Sequence, residues 1–367
     1  MSSTPTSSSE AASGIASARE PTHKRALRIW LGAIALLIVA MILVGGATRL
    51  TDSGLSITEW KPIMGTIPPL SEADWQQAFE AYRQIPEYAQ VNPNMDLGAF
   101  KAIYWWEWTH RFLGRLIGAV FLVPFLVFWW AGYISRGLLP KLSGLFALGG
   151  LQGAVGWYMV KSGLVDRIDV SQYRLAVHFG IAVLILGASL WLWFGLGAET
   201  KESLRPRYAF GVAVLVLALV YLQMLAGALV AGLDAGLGFN TWPLMNGALV
   251  PNGLGAATPW YLNLFENPLT VQFDHRLLSY FVLAATLAQA GWLALRDRSP
   301  SLALSGMAVA CLALLQVTLG IWTLLLAVPI ELGLGHQAGA IALFVASLHH
   351  LWLVSDLSPK SQMVASA

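Results

Sequence analysis

Four of the seven histidines in this chain sit in matched surroundings. His110 falls in "WTHRFLGR" and His275 in "FDHRLLSY"; His178 and His336 follow at the heads of later apolar runs, in "RLAVHFG" and "LGHQAGA". The chemistry open to them is metal ligation. Neutral imidazole is a strong ligand, and the single cysteine, Cys311, lies inside an apolar run, which leaves no internal disulfide and no cysteine-based metal or iron–sulfur site. One histidine in an apolar segment is ordinarily a hydrogen-bonded packing residue. Four that obey a repeat fit better as paired imidazoles on facing helices, an arrangement that ligates haem iron inside a bundle. Zinc would want a third or fourth ligand, and a di-iron centre would want Glu-x-x-His on two helices. Glu107 and His110 have that spacing once, and the second copy offers Gln272 in place of the carboxylate. His23, His349 and His350 fall outside the repeat and read as residues at the membrane interface.

The neighbours of the four histidines suit a flat macrocycle. Gly114 and Ser279 lie four residues after His110 and His275, on the same helical face, where a small side chain leaves room. Arg111, Arg115, Arg174 and Arg276 stand at the same outer level and have the fork geometry that pairs with propionates; the alternative is a set of helix-end arginines reaching to lipid headgroups. The two copies differ at one place of chemical weight. Three residues before the histidine stands Glu107 in the first copy and Gln272 in the second. A carboxylate exchanges protons or stabilises a developing cation, and an amide does neither. The first copy also has the longer outer loop, and Arg49 where the second has Ala231. These differences assign chemistry to the first half and a permanent electron-transfer haem to the second. The competing role for Glu107 is a simple ion pair with Arg111, and the residues alone leave both open.

The elements that must hold these side chains are membrane helices. The chain has 367 residues, of which 56% are hydrophobic and 11% charged, with mean hydropathy +0.62. A soluble domain carries about 25% charged residues, so this is a polytopic membrane protein. The net charge of +2 gives no case for nucleic acid or an acidic partner. Apolar windows place spans at about 27–47, 109–133, 141–161, 173–196, 208–231, 273–295, 302–325 and 335–354. The first is too long for the apolar region of a signal peptide and reads as an uncleaved helix. Lys24, Arg25 and Arg28, then Arg136 and Lys141, then Lys201, Arg205 and Arg207, then Arg296 and Arg298 fall on one side. The opposite loops of the second half, 232–271 and 326–334, have no Lys or Arg, whereas Lys161, Arg167 and Arg174 lie outside in the first half. The positive-inside rule then puts both termini in the cytoplasm and the four histidines near the outer surface.

A duplication organises the whole. "GLSITEWKPIMGTIPP" from Gly54 recurs as "GLGFNTWPLMNGALVP" from Gly236. "LQGAVGWYMV" recurs as "LQVTLGIWTL", and both histidine contexts recur in the same order. The expected fold is an all-α polytopic membrane protein whose eight transmembrane helices form two tandem, pseudo-twofold-related four-helix bundles. Residues 1–25 are a disordered cytoplasmic tail, 26–196 the N-terminal bundle with an outer loop at 48–108, 197–207 a cytoplasmic linker, 208–355 the C-terminal bundle and 356–367 a second tail. Gly149, Gly150, Gly153 and Gly156 are candidate close-packing residues. In the outer loop, "SEADWQQAFEAYRQ" sets Trp75, Phe79 and Tyr82 on one face, with a Ser71–Asp74 capping box and Pro86 as a stop. That helix either lies on the membrane surface or packs as an ordinary loop helix.

With these motifs in view, the chain resembles the haem A synthase family, in the branch found in alphaproteobacteria and mitochondria. The resemblance runs from about Arg25 to Trp352 and rests on "VGGATRLTDSGLSITEWKPIMGTIPP", "FKAIYWWEWTHRFLGR", "DVSQYRLAVHFG", "NTWPLMNG", "FDHRLLSY" and "LGHQAGA". It implies oxidation of the C8 methyl of haem O to a formyl group, by two successive hydroxylations and loss of water, giving haem A for cytochrome oxidase. His110 and His178 would flank the substrate haem, His275 and His336 would ligate haem b, and Glu107 matches the family's acidic residue beside the first histidine. It also implies a bacterial cytoplasmic (inner) membrane location, a haem O synthase as supplier and a ferredoxin-type or quinol electron donor. Another branch carries a cysteine pair in the first outer loop; this chain has none there, so no redox role passes to that loop. Two other functions compete: a dihaem b-type electron-transfer protein acting on quinol, and a haem transporter or chaperone. The first would hold two permanent haems of one type, and the second would need broken helices and midplane charges, for which the sequence makes no strong case. Haem O synthesis itself is disfavoured, because the Asp-rich diphosphate-binding signature of a prenyl transferase is missing.

Overall fold

The computed structural model describes residues 8–61, 64–166, 168–197, 207–296 and 299–355. It is helical, with no strand among these residues beyond one isolated bridge, Met245 to Ala248. In chain order the helices are α1 (Ser8–Leu50), α2 (Glu72–Tyr82), α3 (Pro86–Gln90), α4 (Leu97–Trp130), α5 (Leu139–Asp166), α6 (Gln172–Gly197), α7 (Arg207–Gly232), α8 (Asn263–Glu266), α9 (Pro268–Arg296), α10 (Pro300–Leu325) and α11 (Ile330–Val354). Long apolar runs take this form because a bilayer offers backbone groups no other hydrogen-bond partner.

Seven of these helices are long and apolar enough to cross a membrane; α5, at 28 residues, is not among the seven. Its glycines, with Gln152, Trp157 and Tyr158, dilute its hydropathy. The helix of α1 begins at Ser8, inside the segment expected to be a tail, and its apolar stretch is His23–Leu50. The linker residues 198–206 and the tail 356–367 lie outside the described residues. The second span starts twelve residues earlier than expected: Asp96 caps α4 by accepting from the Ala99 N–H, so "WWEWTHR" lies well inside a helix and not at its doorway.

Helix α1 packs on α4 and α6, and α5 touches the same two helices. Helix α7 packs on α9 and α11, and α10 touches those two. The sets meet through α6 on α7 and through α11 on α1 and α6. Leu31, Ile34, Phe121, Leu142, Val183, Leu186, Val216, Phe344 and Leu348 form one core across both sets. At the α1–α11 contact Gln337 donates to the Ile42 carbonyl at 3.0 Å, and a Cβ on Gly46 would collide with its amide.

The two sets are not equally tight. Helices α9 and α10 share an extensive contact, whereas α4 and α5 touch over a short one. Of the most apolar stretch of α4, 6% is buried, against 28% for α9. Gly149, Gly150 and Gly153, expected to be close-packing residues, face open space; Gly156 alone of the four meets a neighbour. Small residues allow close approach but do not compel it, and here no partner helix comes near.

The outer segment of the first half is a cap with its own small core. Ser71 and Asp74 form the expected capping box, and Trp75, Phe79 and Tyr82 are buried against Leu55, Phe100 and Tyr104. The helix packs on the protein, so of the two sequence readings the packed loop helix holds. Pro86 both ends the preceding run and starts α3 at its first position. His350 corrects another expectation: it is 2% exposed and bonded to Ser305 through Nδ1 at 2.8 Å, not an interfacial residue. It sits one residue further round the helix than His349, which stacks on Trp352.

Candidate functional site

Each of the four repeat histidines stands against a glycine of a neighbouring helix. His110 on α4 faces Gly45 of α1, His178 on α6 faces Gly156 of α5, His275 on α9 faces Gly227 of α7, and His336 on α11 faces Gly320 of α10. A Cβ at these glycines would lie 3.2, 2.9, 3.1 and 2.9 Å, respectively, from an imidazole atom. The glycines follow the duplication as the histidines do: Gly45 and Gly227 hold the same place before Gly54 and Gly236, and Gly156 and Gly320 close "LQGAVG" and "LQVTLG".

This packing brings the histidines together in two pairs. The rings of His110 and His178 lie 6.4 Å apart between centroids at 79°, and those of His275 and His336 lie 6.5 Å apart at 83°. Two metal–imidazole bonds of about 2 Å each fit within such a gap. Among the described residues no three His, Cys, Asp or Glu side chains gather as a bare metal ion would need. The pairs therefore suit an iron whose other ligands come from its own macrocycle.

Three glutamines that sequence reasoning passed over touch these rings. Gln152 Nε2 is 3.3 Å from His178 Nε2. Gln316 Nε2 is 3.0 Å from His336 Nδ1 and donates to the His336 carbonyl at 2.6 Å. Gln223 Nε2 is 3.1 Å from His275 Nδ1 and donates to the His275 carbonyl at 3.0 Å. The amide oxygen of all three is buried without a hydrogen-bond partner, as is Nδ1 of His178. Unsatisfied buried polar atoms of this kind mark places where a ligand changes the bonding. Gln152 and Gln316 share a place in the repeat and were legible; Gln223 has Met41 as its counterpart and was not.

The residues one turn outward act on the loops. Glu107 is 2% exposed. Its Oε2 accepts from the Ile57 N–H at 2.6 Å and the Ser56 hydroxyl at 2.8 Å, and its Oε1 accepts from Arg111 Nη2 at 2.5 Å and Nε at 3.0 Å. Arg111 also donates to the carbonyls of Ile57 and Glu59. In the second copy Gln272 donates to the carbonyls of Ala235 and Gly238 and accepts from Arg276, which donates to the carbonyls of Phe239 and Thr241. Residues 57 and 59 correspond in the repeat to 239 and 241, so each arginine clamps the same two carbonyls of its own loop. The Glu107–Arg111 pairing that the sequence left open is thus present. So is a shell of donors around the carboxylate that the second copy lacks.

Arg115 donates to the Lys61 carbonyl at 3.1 Å, and Arg174 bonds Ser162 and lies over the Tyr158 ring at 4.6 Å. A cleft of about 280 Å³ opens beside Arg111, lined by Ile57, Trp60, Trp157, Lys161 and Leu164. A second buried carboxyl lies in the cap: Glu87, 3% exposed, accepts from the Tyr82 hydroxyl at 2.8 Å. Burial pushes it up to about 8, partly offset by the Tyr82 bond, and the Glu107, Asp52 and Asp169 carboxylates add to the rise.

By fold and site the chain is an all-helical, multi-pass membrane protein carrying two repeat-related histidine pairs, one of them beside a buried carboxylate. It belongs to the COX15-CtaA family of cytochrome oxidase assembly proteins, whose pattern matches residues 28–348. It is 50% identical over 329 residues to the protein named "Heme A synthase" of Parvibaculum lavamentivorans, covering 90% of this chain and 94% of that one. The protein of the same name from Rhodopseudomonas palustris is 50% identical over 352 residues, 94% of this chain and 97% of its own. That from Chelativorans sp. is 53% identical over 328 residues, 88% and 90% respectively.

Proposed function

We propose that this chain is a haem A synthase, which oxidises the C8 methyl of haem O to a formyl group and so supplies haem A for cytochrome oxidase. Identity of about half over nine-tenths of the chain to relatives of that name supports the reading. The structural observation that carries it is the broken symmetry between the two histidine pairs: Glu107 in its shell of donors stands one turn from His110, and Gln272 takes its place beside His275.

The first unit, residues 26–196 with its cap at 48–108, takes haem O as substrate between His110 and His178. The second, residues 208–355, holds haem b between His275 and His336; when bound, that haem supplies a one-electron store. The two contact circuits of helices support reading these units as tandem four-helix bundles related by a pseudo-twofold axis. Paired imidazoles, glycine-made room and unpartnered amide oxygens all fit the group.

Every group that touches Glu107 donates a hydrogen bond to it, which suits a fixed negative charge that stabilises positive charge developing on the substrate. Arg111 and Arg115 tie the loop 57–61 to α4 beside His110. With Lys161 and Arg174 they give its outer rim the positive charge that propionates require; Arg276 does the same for the second unit. The distribution of Lys and Arg supports an inner-membrane location with both termini cytoplasmic and the histidines toward the periplasm. Haem O synthase supplies the substrate, and a ferredoxin-type or quinol donor reduces the second unit.

Chromatography of haems extracted from membranes tests the reading. Cells without the protein accumulate haem O and lack haem A, and restoring the chain reverses this. Haem A at normal level in its absence overturns the proposal.

A further inference from the structure

If the two units hold haem as proposed, their pairs should differ in more than Glu107, because substrate must leave the first while haem b stays in the second. The structure shows a difference suited to that division. An imidazole that binds metal through one nitrogen carries its proton on the other and needs an acceptor there; such partners fix the ring and raise its basicity. In the second unit both rings have a planar amide at hand. Gln223 and Gln316 each hold Nε2 within 3.1 Å of Nδ1, and each has a buried oxygen without a partner on the same group; rotation about one bond brings that oxygen to the ring as an acceptor, in exchange for the bond Nε2 donates to the same histidine's carbonyl. In the first unit His178 has Gln152. His110 makes no side-chain hydrogen bond among the described residues. The position matching Gln223 is Met41, whose methyl group packs at Gly114, one turn beyond the histidine. The helix that carries His110, α4, also makes a smaller contact with its neighbour α5 than α9 makes with α10.

We propose that Gln223, with Gln316, is a positioning residue that would lock the imidazoles of His275 and His336 when the second unit holds its haem, and that Met41 at the equivalent place leaves His110 as the ligand that yields, so that the first unit releases what it binds. A thioether accepts only weakly and cannot orient the ring as an amide does. The N-terminal unit is therefore built to exchange and the C-terminal unit to retain, by one residue on the first helix of each.

The test uses the purified full-length protein with Gln223→Met, Gln223→Glu and Met41→Gln. Readouts are haem bound per chain after washing, the visible and electron-paramagnetic-resonance spectra, and the midpoint potential of haem b. Gln223→Met should weaken retention of haem b by about 10- to 100-fold and raise its potential, because the ligand loses basicity. Gln223→Glu, a stronger acceptor, should restore retention and lower the potential. Met41→Gln should make the first unit hold haem O or haem A more tightly and slow its turnover. Equal or same-sign potential shifts in the two Gln223 variants would reduce that residue to packing and overturn its role. Unchanged release from Met41→Gln would overturn the role given to His110. Failure of the underlying reading looks different: His275→Ala or His336→Ala would then leave haem b bound.

Discussion

Arg49 and Asp234 meet at 2.6 Å although 185 positions separate them. The same guanidinium bonds Asp52, also at 2.6 Å, through its other amino group. Asp52 and Asp234 correspond in the repeat, and both adopt left-handed backbone, at φ 47° and 49°. One arginine thus holds two copies of the same turn, one from each half, at the outer ends of α1 and α7. Its counterpart is Ala231, so the junction needs and has a single cation. Arg49, one of the residues that set the first half apart from the second, thus ties the halves together and does not face the histidine pair's carboxylate.

Removing that tie should act on stability and not on one site. The aspartates are about half exposed, so each bond contributes no more than about 1 kcal/mol. Arg49→Ala and Asp234→Asn should lower the midpoint of thermal unfolding in detergent by a similar few degrees, with haem b spectra unchanged. If Arg49→Ala abolishes turnover while Asp234→Asn leaves it intact, Arg49 serves the first unit directly.

The glycines opposite the imidazoles give a selective lesion. A Cβ at Gly156 or Gly320 would come within 2.9 Å of a histidine ring, closer than side chains pack, so the ring must move. Gly320→Ala should lose haem b while the first unit still binds haem O. Gly156→Ala should do the reverse. Haem-to-protein ratios and the spectrum of each variant decide it, and loss of both haems from either variant would show that the units do not act separately.

Much of this was legible in the chain because the duplication prints it twice. The histidine pairs, the cap helix with its Ser71–Asp74 start, and the Glu107–Gln272 difference all come from residue types at repeated spacings. What stayed hidden depends on partners with no residue signature. Arg111 and Arg276 bind backbone carbonyls, which any residue supplies, so only coordinates show that they clamp loops. Gln223 was masked because its counterpart is methionine. Helix α4 started early because "FKAIYWW" continues the helix before the hydropathy rises. His350 was misread because depth along α11 does not say which way a side chain faces.

The cap should loosen as pH rises. Glu87 binds its proton more tightly in the folded cap than in an unfolded chain, so folding takes up a proton between the ordinary carboxylate range and about 8. The stability this contributes is full below about 4.5 and is lost as pH climbs through about 8. Tyr82 bonds the group, and the carboxylates of Glu107, Asp52 and Asp169 are the charges that act on it. Amide exchange of α2 and α3 should speed up across that window. Glu87→Gln, which keeps an acceptor for Tyr82, should flatten the dependence; an unchanged slope would remove Glu87 as its source.

The central claim is that the two histidine pairs divide the work, with Glu107 marking the pair that does chemistry. Glu107→Ala is a poor probe, since stripping a buried ion pair of one partner costs about 3–5 kcal/mol. Glu107→Gln keeps the shape and an acceptor for Arg111, as Gln272 is for Arg276; it gives up the negative charge and leaves the Ile57 N–H without an acceptor, the latter costing about 1–3 kcal/mol. The decisive measurement is chromatography of the haems extracted from purified Glu107→Gln protein. The account predicts haem b at the parent level together with haem O and little or no haem A. Haem A at the parent level would contradict it.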